Sequence, residues 1–382
     1  MSRARDFADL AGSSSNISTV AADSANLDQV ASSYSAGGIT GRNLIINGAM
    51  QVAQRGVDIN SLGENAYSID RFRTRTYGGD GRFDYDQVTD VVPSSTFKYA
   101  AKYTVSTAAT DVGSFGYSVQ QVIEGHSIAQ LRIGRSDAKP FTISFWARSS
   151  VSGTYSSGVA TNSGDISFVT EFTLVANTWK YISYTVPAYT TSVPTNLNET
   201  NGNGLFFTVI GLASQTSKET STLDAWQSGN FAFSSNQTNF MSATARTVHI
   251  TGVQLEVGEQ ATPFEHESYA ATLQKCYRFF HFVGGDTTYQ TIATLTNFTG
   301  GQAVGLYQHP VEMRAAPTIS KSGNWAVLGG NTSVGQTVSA DQNSPKTLQI
   351  GFSDGSGGTS GYSTTLRASN DINFRLTFSS EL

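Results

Sequence analysis

The chain has 382 residues, a net charge of −5 and only 14% charged residues, against roughly 25% in typical globular proteins. It also contains 22 Phe and 16 Tyr, which is too much aromatic surface for a disordered chain. No basic block accompanies the negative net charge, so we expect no nucleic-acid partner. A single cysteine, Cys276, excludes an intrachain disulfide framework and a cysteine-based zinc site. We predict no metal and no cofactor.

The first twelve residues do not have the pattern of a signal peptide, and no run of about 18 apolar residues follows. We therefore expect neither membrane insertion nor classical secretion. A protein that acts outside a cell without an export signal would be made in the cytoplasm and released by lysis.

Residues 1–42 differ from the rest of the chain. Apolar and small residues recur at spacings of three and four, which is typical of a helix with a heptad-like stripe; these are Ile17, Val20, Ser24, Leu27, Ala31 and Tyr34. Such a short helix is unstable alone, so the stripe predicts partners, either further copies of the chain or a larger assembly. The alternative is a loosely ordered tail.

Residues 43–267 show strand after strand with turn residues between them. NLIING (43–48) is predicted as a short apolar strand. FTISFWARSS (141–150) and TWKYISYTVP (178–187) alternate with the period of a strand, and GLFFTVIGL (204–212) is apolar enough to be covered on both faces. Short strands without a clear helix predict a sandwich of two antiparallel sheets.

The strand before the boundary at residue 267 changes phase. Val248 and Ile250 share one face, whereas the apolar set after Gly252 moves to Val253 and Leu255. Because side chains alternate strictly along a strand, this slip predicts a bulge at Thr251–Gly252.

Residues 268–382 are predicted to form a smaller β-domain with a leading helix. The helix is predicted over Leu273–Phe280, with Cys276 as a buried apolar residue. Strands follow, including one with Phe374, Leu376 and Phe378 on one face, and DGSGGTSGYS (354–363) is predicted as a flexible loop.

Several strings in this chain resemble a known family. NLIINGAMQVAQRG (43–56), YSIDRF (67–72), ITGVQLEVGEQATPFE (250–265) and HPVEMRAAPTIS (309–320) occur in the same order as similar strings in bacteriophage tail fibre proteins. The resemblance spans about residues 43–319. It implies a jelly roll of the galactose-binding type, a homotrimeric fibre, and attachment to a host surface polysaccharide or lipopolysaccharide.

The acidic residues are the first candidates for an enzymatic activity. A glycosidase needs two carboxylates about 5–10 Å apart, and the candidate pairs are Asp84 with Asp86 and Glu256 with Glu259. The first pair is typical of a solvated strand edge, and Glu256 is expected to point outward or to cap a loop. The histidines lack a metal-ligand spacing. We therefore predict no catalytic residues and no enzyme.

Aromatic residues are the candidates for ligand binding, since flat rings stack on the apolar faces of sugars. Trp146 and Trp179 lie in strands and are predicted to be core residues. For Trp226, a structural role and a ligand contact are equally expected. Trp325 and Tyr362 belong to the variable C-terminal part. The predicted ligand-binding residues are Trp226, Trp325 and Tyr362.

Arg71, Arg73 and Arg75 stand at alternate positions, which places them on one strand face. We interpret that face as solvated or intersubunit rather than as a phosphate site.

The resulting hypothesis is a homotrimeric tail fibre of the virion, held to other tail proteins through residues 1–42. The alternatives are a structural tail adaptor without its own receptor site and a glycan-degrading tailspike.

Overall fold

A computed structural model describes residues 41–161, 164–299, 302–328, 337–353 and 360–382. The predicted helix within residues 1–42 and most of the predicted loop at 354–363 lie outside these ranges. The described chain is mainly β, with antiparallel sheets and short helices. The predicted fold class is therefore confirmed.

Fourteen strands precede residue 258. In chain order they are β1 Asp58–Leu62, β2 Phe72–Arg75, β3 Arg82–Val88, β4 Ala100–Thr107, β5 Tyr117–Glu124, β6 Phe141–Ser149, β7 Gly153–Thr161, β8 Ile166–Leu174, β9 Lys180–Val186, β10 Asn203–Ala213, β11 Glu219–Thr220, β12 Trp226–Ser228, β13 Phe233–Ser234 and β14 Thr247–Val257. The helix α1 spans Gly125–Ile128, and single 3₁₀ turns cover Ala129–Leu131, Thr216–Lys218 and Phe240–Ser242.

These strands form a sandwich of two six-stranded sheets. The first sheet has the order β1-β3-β4-β14-β6-β9 and the second the order β12-β8-β7-β10-β5-β2, with antiparallel pairing in both; β11 and β13 make a separate small pair. The side chains that face inward from both sheets form one hydrophobic cluster between residues 44 and 255. Every second residue of a strand points the other way, so each sheet also presents an outer face.

The phase change in β14 is accommodated as predicted. The pairing of β14 with β6 shifts register between Thr251 and Gln254, and Gly252 has a φ of +62°. Val248 and Leu255 are therefore both fully buried although they have opposite phase in the sequence. This confirms the bulge at Thr251–Gly252.

The predicted strand at residues 43–48 is wrong, because these residues form turns. The side chain of Asn43 accepts from the backbone N–H groups of Ile45 and Leu255 and donates to the carbonyl of Val253. Asn47 has a φ of +64°, which interrupts an extended chain. The segment still lies beside β14, as the backbone N–H of Leu44 donates to Leu255.

The C-terminal region contains a helix and nine strands within the described ranges. They are α2 Tyr269–Tyr277, β15 Phe280–Val283, β16 Thr291–Thr299, β17 Gln302–Gln308, β18 Thr318–Ser322, β19 Trp325–Leu328, β20 Thr337–Asp341, β21 Thr347–Ser353, β22 Ser363–Ala368 and β23 Arg375–Ser379. They form one sheet of order β15-β23-β18 and another of order β19-β22-β16-β17-β21-β20. A second hydrophobic cluster, between residues 295 and 378, lies within this region.

The helix α2 begins four residues earlier than predicted and ends before Phe280, which is the first residue of β15. Ser268 supplies the start signal because its hydroxyl accepts from the backbone N–H of Ala271. Cys276 is buried as predicted, and burial raises the pKa of its thiol well above the ordinary value.

The C-terminal region contacts the sandwich through polar groups. Arg278 donates to both carboxylate oxygens of Glu124, at 2.8 and 2.6 Å. Arg314 donates to the carbonyl of Asn201, at 2.8 Å. Within the described ranges, no helix has both the length and the apolar character of a membrane span.

Candidate ligand-binding groove

A groove of about 390 Å³ opens on the outer face of the second sheet. Val119 and Phe207 point into the sandwich core, so the neighbouring Gln120, Phe206 and Thr208 point outward. The adjacent strands β2, β5, β10 and β7 form the floor, and the segment around Phe231 forms a wall. A volume of this size is within the range of small-molecule sites.

The polar floor of the groove contains an amide that is not fully satisfied. Gln120 is only 3% exposed, and its Nε2 donates to Oγ1 of Thr208 at 3.1 Å and to the hydroxyl of Tyr77 at 3.3 Å. Its carbonyl oxygen is buried and has no hydrogen-bond partner among the described residues. A buried acceptor of this kind normally has a donor.

Aromatic rings lie beside this amide. Tyr77 is half-buried and meets Phe233 edge-to-face, with ring centroids 6.0 Å apart. Phe206 and Phe231 line the groove and are partly exposed. Burial raises the pKa of the Tyr77 hydroxyl, so this side chain is neutral at ordinary pH.

Three cationic side chains enter the same groove. Arg73 donates from Nη1 to the main-chain oxygen of Leu382 at 2.8 Å. Arg75 forms an ion pair with Glu64 and places its guanidinium carbon 4.5 Å from the ring centroid of Tyr77. Lys218 brings its ammonium nitrogen to 5.5 Å from the same centroid.

The prediction of a solvated or intersubunit face for Arg71, Arg73 and Arg75 is wrong. Arg71 is 1% exposed and Arg73 is also buried, so neither lies on a solvated face; only Arg75 is partly exposed. The cause is the C-terminal segment, which covers the edge strand β2 and contacts Arg71 through Glu381. The sequence of residues 71–75 could not predict this contact, because the covering segment is more than 300 residues away in the chain.

The aromatic candidates from the sequence are not brought together. Trp325 is 3% exposed and packs edge-to-face on Phe374, so it is a core residue of the C-terminal region rather than a surface for a ligand. Trp226 is half-buried at the sheet edge, donates from Nε1 to the carbonyl of Pro187 at 2.7 Å and packs against the core, which is a framework role. Tyr362 is 67% exposed and remains a predicted ligand residue.

Trp146 and Trp179, predicted as core, are only half-buried and belong to neither hydrophobic cluster. Trp146 alternates with the buried Phe145 and therefore points to the outer face of the first sheet, where it packs on Tyr181. Alternation alone could not decide which set of β6 faced inward, because both sets contain aromatic residues.

The candidate carboxylates have structural partners. Asp84 accepts from the backbone N–H of Ser61, and Asp86 pairs with Lys102 at 2.9 Å. Glu256 is buried and accepts from the backbone N–H and hydroxyl of Thr262, so it caps the loop after β14. None of these three carboxylates lines the groove.

A second concavity lies between the sandwich and α2, but its charged groups are already paired. Glu124 binds Arg278 through two hydrogen bonds, and Lys275 pairs with Glu267. The described ranges also contain no cluster of three residues that could hold a metal ion. The groove on the second sheet is therefore the better candidate site.

Comparison with solved structures finds several similar chains. The chain is similar to a protein described as "CBM4 structure and function", with 17% identity over 56% of this chain and 98% of that one and a TM-score of 0.29. It is also similar to TmCBM61 in complex with β-1,4-galactotriose, with 10% identity over 58% and 100% of the two chains and a TM-score of 0.29. The third is the CBM22-1 xylan-binding domain of Xyn10C from Paenibacillus barcinonensis, with 9% identity over 53% and 95% and a TM-score of 0.27.

Neither a scan against protein families nor a search of curated proteins finds a match. At the identities and TM-scores of the three structures, the similarity carries no conclusion about the ligand of this chain. The ligand has to be inferred from the residues of the groove.

Proposed function

We propose that this chain binds a glycan in the groove on the outer face of the second sheet. The observation that carries the proposal is that three partly exposed rings, Tyr77, Phe206 and Phe231, line one groove together with polar side chains. Sugars present hydroxyls together with flat apolar faces, and they need both kinds of partner. Asn230 at the rim adds an exposed amide.

We further propose that the chain binds its glycan without cleaving it. Hydrolysis by the usual mechanism requires two carboxylates on either side of the scissile bond. The described residues that line the groove include no Asp or Glu. Asp84 and Asp86 alternate with the inward-facing Phe83 and Tyr85 and so lie on the outer face of the first sheet, on the opposite side of the sandwich.

The wider proposal is a homotrimeric tail fibre of a virion that attaches to a host surface polysaccharide or lipopolysaccharide. It rests on the resemblance of residues 43–319 to tail fibre proteins. Three copies would offer three grooves, and linked sites raise the effective concentration of weak ligands. A monomer in light scattering would refute the trimer, and phage adsorption undiminished by excess purified protein would refute the attachment role.

Glycan binding is tested by calorimetric titration of the full chain against a panel of bacterial surface polysaccharides. Replacing Phe231 with Ala removes one wall ring, and the affinity for the bound member should fall by about two- to tenfold, since an aromatic contact contributes about 0.5–1.5 kcal/mol. Tyr181→Ala is the matched control, because this exposed ring lies on the opposite sheet.

Equal losses in the Phe231 and Tyr181 variants would place the binding elsewhere. If no glycan binds and the chain forms a stable complex with another tail protein through residues 1–42, the structural adaptor would replace this proposal. Reducing ends that appear during incubation with polysaccharide, and that are lost in Asp84→Asn or Asp86→Asn, would favour the tailspike.

A further inference from the structure

The side chains that line the groove carry an excess of positive charge. The described residues that line it include three cations, Arg73, Arg75 and Lys218, and no acidic residue. Glu64 pairs with Arg75 from outside this lining. The whole chain has a net charge of −5, so the excess of positive charge is local and does not reflect the composition.

Two of the three cations have no Asp or Glu side chain as a partner among the described residues. Arg73 is buried, donates to the main-chain oxygen of Leu382, and has an Nε that is buried without a partner. Lys218 is half-buried and contacts the ring of Tyr77, with no ion pair. Burial lowers the pKa of Lys218, and the charge of Arg75 lowers it further.

Such an arrangement is unfavourable in the free protein. Cations removed from water are normally paired. Here Arg75 and Lys218 both lie within 5.5 Å of one ring centroid, and the charge of Arg75 lowers the pKa of Lys218. An anion between them would relieve the repulsion and accept charge-assisted hydrogen bonds, which are about twice as strong as neutral ones.

We infer that the glycan bound in this groove is acidic and carries a carboxylate or a sulfate that is recognised by Lys218, Arg75 and Arg73. This inference rests on the proposed function and narrows its ligand. The sugar rings stack on Phe206 and Phe231, and the acidic substituent lies towards Tyr77, where the two cations meet. A free inorganic anion would not use the aromatic wall.

The test uses the full chain and two matched pairs of probes. Oligogalacturonate and its carboxyl-reduced form differ only in the carboxylates, and dextran sulfate and dextran differ only in the sulfates. We expect at least one acidic probe to bind about tenfold or more tightly than its neutral partner, since a hydrogen bond to a charged group contributes about 1.5–3 kcal/mol. The preference should shrink at high salt.

Lys218→Met should remove most of that preference, and Lys218→Arg should retain it. Lys98→Met is the matched control, because Lys98 also places its ammonium near a tyrosine ring, 5.1 Å from the centroid of Tyr99, but lies outside the groove. Melting curves of all variants show whether they are folded.

The outcomes separate the two proposals. Equal binding of the acidic and neutral probes, sensitive to Phe231→Ala, overturns the acidic ligand and leaves glycan binding intact. Acidic binding that Lys98→Met weakens as much as Lys218→Met overturns the assignment of the cations. Failure of all four probes, together with failure of the surface polysaccharide panel, overturns both proposals.

Discussion

Replacing Glu381 with Gln tests how the C-terminal segment is held on the sandwich. The carboxylate of Glu381 is 7% exposed and accepts from Arg71 and, at 3.0 Å, from Nη2 of Arg55. The guanidinium of Arg71 also donates to the carbonyl of Val122 at 2.6 Å and lies 3.5 Å above the ring centroid of Phe279. The ion pair between Arg71 and Glu381 is therefore buried.

The expected loss of stability depends on which carboxylate partners Arg55 and Arg71 keep in the variant. Arg55 keeps a second carboxylate, because its Nη1 lies 3.7 Å from Oδ1 of Asp70. Arg71 has no other carboxylate partner in the described part of the chain, so its buried charge becomes uncompensated. Removing one member of a buried pair costs about 3–5 kcal/mol, and we expect Glu381→Gln to lower the free energy of unfolding by about 3 kcal/mol.

The assay is urea denaturation followed by circular dichroism and tryptophan fluorescence. Glu199→Gln is the control, because Glu199 binds Arg135 through two hydrogen bonds of 2.6 and 2.5 Å but both side chains are partly exposed. A pair of this kind contributes less than about 1 kcal/mol. The reasoning is refuted if the two variants lose equal stability, or if Glu381→Gln loses less than about 1 kcal/mol.

Three further predictions concern other parts of the chain. Gly252→Ala should lower the free energy of unfolding by about 2 kcal/mol in urea denaturation, because a Cβ would lie 2.7 Å from the ring of Phe97 at a φ of +62°; an unchanged midpoint would contradict the strained bulge. Burial lowers the pKa of His281 to about 3, so the stability that it contributes is present above about pH 6.5 and is lost as the pH falls towards 3, by about 2 kcal/mol at pH 5. This loss should be absent in His281→Phe. That variant serves as the reference because Asp70, whose pKa is raised by burial to about 6, changes the stability of both proteins with pH in the opposite direction. Trp325→Ala should cost about 3–5 kcal/mol of stability and leave glycan affinity unchanged below the unfolding transition; a loss of affinity without a loss of stability would make Trp325 a ligand residue.

The fold was predictable where side-chain alternation is strong. β6, β9 and β10 lie within a few residues of their predicted limits, and the phase slip at Gly252 located the bulge. Side-chain alternation predicts strands wrongly where side chains, rather than another strand, form the hydrogen bonds to the backbone. At residues 43–48 the asparagines satisfy neighbouring backbone groups and hold turns, although the apolar content is typical of a strand.

The groove was not predictable because its floor comes from strands that are distant in the sequence. Gln120 and Thr208 are 88 residues apart, yet they are joined by a hydrogen bond between β5 and β10. One local signal did exist: Arg73 and Arg75 alternate along β2 and therefore share one face, and Tyr77 follows two residues later.

The tryptophans failed as markers for a different reason. Trp325 was assigned to a surface because its segment lies outside the resemblance, but variability in sequence does not imply exposure. The ring is large enough to organise a small core, and it packs on Phe374 within the second hydrophobic cluster. Buried aromatics of this kind dominate the packing of small domains.

The C-terminal segment also connects stability to the groove. Arg71 lies immediately before the edge strand β2 and binds Glu381, whereas Arg73 lies within β2 and binds the main-chain oxygen of Leu382. That oxygen also accepts from the hydroxyl of Tyr67 at 2.7 Å. Releasing Glu381 would therefore loosen the acceptor that positions the guanidinium of Arg73. We expect Glu381→Gln to weaken binding of an acidic glycan as well as stability, although Glu381 itself does not line the groove. Titration of the folded variant with the acidic probe that binds the unmodified chain measures this effect, and unchanged affinity would show that the groove holds Arg73 without help from the C-terminal segment.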